Sequence, residues 1–96
     1  MSNLVNGNVI TGVATGKATS TSVEIGFEPS NVQVFNETTN MEYELTNGAS
    51  NIKITTGSTG AVTMSAASAG VSLSMLRNGF KVKSSASDKL VYKAIR

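Results

Sequence analysis

The chain contains no cysteine and no histidine among its 96 residues. Without cysteine it cannot be a small secreted scaffold held by disulfides. Without histidine it lacks the commonest metal ligand and the side chain that most often acts as general base near neutral pH. Zinc and haem ligation, and nucleophilic catalysis built on Cys or His, are excluded together. Tryptophan is absent, aromatics make up 5%, charged residues 15%, and there is one proline. No apolar run approaches the roughly 18 residues of a membrane-spanning helix. The amino-terminal stretch, Met1-Ser2-Asn3-Leu4-Val5-Asn6-Gly7-Asn8, has no positive cluster and no continuous apolar segment. It is expected to be neither signal peptide nor anchor, which predicts a soluble protein made in a cytoplasm with no membrane partner.

What is present is an ordinary globular composition, 40% hydrophobic with a mean hydropathy of +0.01. The length allows one domain, expected over residues 8–96, after a flexible arm at 1–7 that lacks a core pattern. The polar positions are mostly Ser, Thr, Asn and Gly, and apolar residues alternate with them over short runs. The clearest are Val23-Ile25-Phe27, Met41-Tyr43-Leu45, Ile52-Ile54, Val62-Met64, Val71-Leu73-Met75 and Phe80-Val82. Alternation is the period of a strand with one buried and one wetted face, as in antiparallel sheets.

Turn signals separate the runs at Glu28-Pro29-Ser30-Asn31, Asn47-Gly48, Thr56-Gly57-Ser58-Thr59-Gly60, Ala69-Gly70 and Asn78-Gly79. Asn-Gly suits the two positive-φ positions of a tight type I′ hairpin, so Asn47-Gly48 and Asn78-Gly79 are the expected hairpins. About nine short strands follow, near 9–14, 20–27, 31–36, 41–46, 51–56, 61–66, 71–76, 80–84 and 89–95. The expected fold is all-β: a β-sandwich, jelly roll or small barrel of about eight or nine antiparallel strands. Ala66-Ala67-Ser68-Ala69 is an alternative helical turn. The last run, Leu90 to Ile95, is apolar on both faces, which predicts either a central strand or a subunit contact.

Charge is unevenly spread. Residues 1–48 hold Lys17 against Glu24, Glu28, Glu37, Glu42 and Glu44, a net of −4; residues 49–96 hold Lys53, Arg77, Lys81, Lys83, Lys89, Lys93 and Arg96 against Asp88, a net of +6. Lys81 and Lys83 alternate with Phe80 and Val82, so they should project together from one face, with Lys93 as a possible third member. Solvation, or protection of a sheet edge, is the plainer reading of this basic stripe. Single-strand nucleic-acid readers interleave such charge with exposed aromatics, and here only Tyr92 is near, so nucleic acid is not an expected partner.

Gly12-Val13-Ala14-Thr15-Gly16-Lys17 is one residue short of a phosphate loop, and Ala18 stands where Ser or Thr would hold magnesium. A glycine-bent strand is the expected reading, and no cofactor is expected. Glu42 and Glu44, with Glu24 or Glu28, are weighed as paired acids or calcium ligands and read as a solvated sheet face. Asn36-Glu37-Thr38 matches a glycosylation pattern by chance. No nucleophile has a base beside it, so catalysis is not expected. Phe35 is the aromatic out of phase with its buried neighbours Val32 and Val34, which makes it a candidate contact residue.

The segment Gly26-Phe27-Glu28-Pro29-Ser30-Asn31-Val32-Gln33-Val34-Phe35-Asn36 resembles a stretch found in small β-rich virion proteins of tailed bacteriophages. Val9-Ile10-Thr11-Gly12, Asn78-Gly79-Phe80-Lys81-Val82 and the terminal Tyr92-Lys93-Ala94-Ile95-Arg96 extend the resemblance. The sequence departs from that pattern at Tyr43, where many similar chains carry Trp, and in a short loop after Gly48. The resemblance implies a head decoration, or cement, protein on the capsid surface of the virion, with the major capsid protein as its partner and a symmetric homo-oligomer such as a trimer as its form. A tail-fibre or receptor-binding module that holds a surface carbohydrate is the alternative. Under the first reading the expected contact residues are Leu4 and Val5 of the arm, Phe35, and the basic Lys81, Lys83 and Lys93.

Overall fold

The computed structural model describes residues 9–49, 51–66 and 72–96. The arm at 1–7, with Leu4 and Val5, lies outside these residues, as do positions 67–69 of the alternative helical turn. Nine strands run in chain order: β1 (Val9–Thr15), β2 (Thr21–Glu24), β3 (Asn31–Asn36), β4 (Met41–Thr46), β5 (Asn51–Thr56), β6 (Val62–Ala66), β7 (Ser72–Leu76), β8 (Gly79–Lys83) and β9 (Lys89–Ile95). No helix forms among the described residues, so the protein is all-β. Six strands make one antiparallel sheet in the order β1-β9-β3-β4-β5-β6, and three make a second in the order β2-β8-β7.

The two sheets face each other as an open sandwich. Alternation decides which side chains meet. From the larger sheet come Val32 and Val34 of β3, Tyr43 and Leu45 of β4, Ile52 of β5, and Leu90 and Ala94 of β9; the smaller sheet contributes Leu73, Phe80 and Val82. Phe80 and Tyr92 meet across the sandwich edge to face, with ring centroids 5.2 Å apart, a geometry the ring quadrupoles favour. Gly12 makes room for this pair, because a Cβ there would collide with the Tyr92 ring. β9 lies between β1 and β3, inside the sheet and away from any free edge; Leu90 and Ala94 face the core, while Val91 lies in the row of Val13 and Phe35 on the other side.

Three local expectations are corrected. Leu76 pairs with Gly79, so the β7–β8 turn is Arg77-Asn78, one residue earlier than expected. Neither residue has a positive φ. Gly79 is required by proximity instead: a Cβ there would strike the backbone carbonyl of Val23 in the paired strand β2. Asn47-Gly48 opens the connection from Thr46 to Asn51, and of these two residues Gly48 has a positive φ and Asn47 does not. Asn47 serves as a clamp there, its Nδ2 donating to the Pro29 carbonyl at 3.0 Å and to Glu28 Oε2 at 3.1 Å. Finally, β2 stops at Glu24 and does not reach Phe27. Gly26 turns the chain at φ +90°, and the amides of Ile25 and Gly26 both donate to the Asn78 carbonyl.

One buried polar pair ties the sandwich together at its end. Asn36 continues the inward phase of Val32 and Val34, and its Nδ2 donates to Asp88 Oδ2 at 2.8 Å, both side chains being buried. Its Oδ1 accepts from the amides of Thr38 and Thr39 at 3.0 and 3.1 Å. One side chain thereby folds the β3–β4 turn and compensates a carboxylate removed from water.

Candidate docking face

With the inner faces committed to the core, the outer face of the six-stranded sheet is left bare. Register fixes its contents. One cross-strand row reads Val13, Val91, Phe35, Glu42, Thr55, Val62, and the next reads Thr11, Lys93, Gln33, Glu44, Lys53, Met64. Val13, Phe35, Val62 and Met64 are the large hydrophobic residues that stand exposed among the described residues, and all four occur in these two rows. Thr11, Gln33, Phe35, Glu42, Val91 and Lys93 border a shallow depression of about 200 Å³ at the centre of the sheet. Its floor is apolar. Amide, carboxylate, hydroxyl and ammonium groups surround it.

Phe35 and Lys93 therefore come together, as neighbours on one face. Lys81 and Lys83 project from the outer face of the three-stranded sheet, where Lys81 lies opposite Ser22 and Ser74. The expectation that Lys93 joins them is corrected: β8 and β9 belong to different sheets, so their outward side chains leave the sandwich on opposite sides. Edge protection is also not the task of Lys81 and Lys83, because β8 is the middle strand of its sheet. The division of charge between the chain halves does not survive folding on the larger sheet, where Glu44 lies opposite Lys53 and Gln33 opposite Lys93. Among the described residues one ion pair forms, Lys89 Nζ to Glu37 Oε1 at 3.4 Å, between exposed side chains, a geometry that contributes about 1 kcal/mol at most.

The acids do not converge. Glu42 and Glu44 share the outer face, with Glu44 Oε2 accepting from Asn31 Nδ2 at 3.0 Å. Glu28 is held by Asn47, and Glu24 belongs to the other sheet. Among the described residues no three Asp or Glu side chains gather as a metal cluster would require. The glycine loop is likewise occupied by the protein itself: the Gly16 amide donates to the Asp88 carbonyl at 2.7 Å, and the Gly16 carbonyl accepts from Ser87. Asn36 is buried against Asp88, so the glycosylation pattern carries no accessible amide.

Tyr43 is the titratable group whose environment is distinctive. Burial disfavours its phenolate and raises its pKa above 10.0, a hydrogen bond with the Thr39 side chain opposes the shift, and the nearby Asp88 charge adds to it. Its place is in the core, below the docking face, where it acts structurally.

Phe35 is marked in the sequence by its broken phase, whereas nothing in the sequence singles out Val13, and the alternation of Val62 and Met64 is that of a buried face although both are exposed. Period two identifies which residues share a side, and only the packing of the second sheet decides which side is covered. Compared with family models, curated proteins and solved structures, the chain matches none.

Proposed function

We propose that the protein is a non-catalytic docking module of the head-decoration type, which binds the outer surface of an expanded phage shell through the open face of its six-stranded sheet. The observation that carries this reading is the coincidence of the exposed apolar side chains Val13, Phe35, Val62 and Met64 on one sheet face. On that face Val13, Val91 and Phe35 cluster across β1, β9 and β3, and Val62 and Met64 stand on β6, with Glu42, Glu44, Lys53 and Thr55 between the two groups; exposed apolar groups set among polar ones mark interaction surfaces. The resemblance of Gly26–Asn36 and of the terminal Tyr92-Lys93-Ala94-Ile95-Arg96 to small virion proteins supplies the kind of partner. A protein that binds the expanded shell and not its precursor stabilises that shell by mass action, and copies placed around a symmetry axis add avidity. Cosedimentation with expanded and unexpanded shells of the major capsid protein encoded in the same genome tests the reading. Saturable binding to the expanded form alone supports it; equal binding to both, or to neither, contradicts it.

The depression beside Phe35 favours one second reading. A half-open aromatic ring bordered by Gln33, Glu42, Lys93 and Thr11 has the makings of a carbohydrate subsite, as a receptor-binding module needs. Binding of soluble surface glycans, lost on Phe35→Ala, would favour it over docking.

A further inference from the structure

β6 ends the six-stranded sheet and is laddered to β5 alone. Its described side chains are bare on both sides. Val62 and Met64 on the outer face are 53% and 61% exposed, and Thr63, which points the other way, is exposed as well. Sheet edges are usually guarded by lysine, proline or a bulge, because a free row of N–H and C=O groups accepts any strand. Here the sequence supplies no such charge or proline: from Ile54 to Leu76, between Lys53 and Arg77, no residue is charged and none is proline. The other edges differ. β2 carries Glu24, β7 is covered on its inner side by the core through Leu73, and the last carbonyl of β1 accepts from Thr21 Oγ1 at 3.0 Å.

We infer that β6 pairs antiparallel with β6 of a second copy, joining two six-stranded sheets across a two-fold axis. The strand is self-complementary. With Thr63 opposite its own counterpart, Val62 faces the partner's Met64 and Met64 faces the partner's Val62, both on the outer side, so four exposed apolar side chains close into one patch. Charge does not oppose a second copy as occupant: no residue from Ile54 to Leu76 is charged, so a two-fold contact along β6 sets no side chain's charge against that of its own counterpart. The two-fold axis closes the contact at two copies. The inference does not rest on the docking proposal: Val62 and Met64 belong to both surfaces, but self-association of the free chain is read without any shell, and shell binding is read at Phe35 on β3.

Sedimentation equilibrium of the full chain across a micromolar concentration series, at low and high salt, tests it. The expected result is a monomer–dimer equilibrium with weak salt dependence. Met64→Lys and Thr63→Lys should each raise its dissociation constant about tenfold or more, with an unchanged circular dichroism spectrum. Hydrogen exchange of the wild type gives a second readout that needs no variant: amide protection at 62–66 should rise with protein concentration. A monomer throughout the series overturns the inference. So does a dimer indifferent to both lysines, a dimer abolished instead by Val13→Lys, which would locate the contact at β1, or protection at 62–66 that is independent of concentration.

Discussion

Asn36 shows how one side chain can hold a fold together while looking like surface. It is a polar residue at the end of a strand, yet it is buried, donates to Asp88 and accepts from the next turn. Replacing it by alanine leaves a buried carboxylate without that donor, and an unsatisfied charged group costs about 1–3 kcal/mol or more. Asn36→Ala should therefore lower the unfolding free energy obtained from urea titration by an amount in that range, whereas Thr39→Ala, at an exposed turn position, should cost clearly less. Tyr43 makes a pH prediction. Its pKa is raised in the folded state, so above pH 10 the unfolded chain releases a proton that the folded chain retains. Stability is full below about 10 and falls as pH rises through that region. Denaturant titrations between pH 8 and 11 should show this decline, and Tyr43→Phe should flatten it. The inward phase of Asn36 was legible from Val32 and Val34. Its partner was not, because Asp88 lies 52 positions away in the chain and no local pattern encodes such a pairing.

At the scale of elements the alternation of apolar and polar residues was sufficient to place strands. β3, β4, β5 and β9 fall at the expected bounds, because turn residues or the chain end delimit each apolar run. β2 is shorter than its apolar pattern, since Gly26 at positive φ diverts Ile25 and Phe27 from the ladder; Phe27 packs under the Arg96 guanidinium, 5.1 Å from its ring centre. The partition of strands between two sheets was beyond the sequence, and it separates Lys81 and Lys83 from Lys93. These two lysines project from the middle strand of the smaller sheet, flanked by Ser22 and Ser74. Reversing both to glutamate should leave the melting temperature nearly unchanged, because the side chains are exposed. If this face steers the approach to an acidic shell, the variant should bind shells more slowly with a weaker response to salt. Stopped-flow binding at low and high salt checks this, and identical rates for variant and wild type would remove the smaller sheet from the association process.

The whole molecule is an asymmetric sandwich, with three strands covering one side of six. The covered side holds a core in which Phe80, Leu73 and Val82 lock against Val32, Val34 and Leu90; the uncovered side presents Phe35 within a polar frame. Removing the ring of Phe80 should cost about 3–5 kcal/mol, as for other buried aromatics. Removing the ring of Phe35 should cost little stability, and this contrast between two phenylalanines separates folding from docking. The direct measurement is cosedimentation of the wild type, Phe35→Ser and Lys81→Glu/Lys83→Glu with expanded shells, each variant first shown to be folded by circular dichroism and thermal melting. Loss of a central aromatic anchor corresponds to about 2 kcal/mol of binding energy. The account predicts an affinity lower by about tenfold or more for Phe35→Ser, while the double charge reversal retains equilibrium binding much closer to wild type. A folded Phe35→Ser protein that saturates shells at wild-type concentrations would contradict the assignment of the open face of the six-stranded sheet as the docking surface.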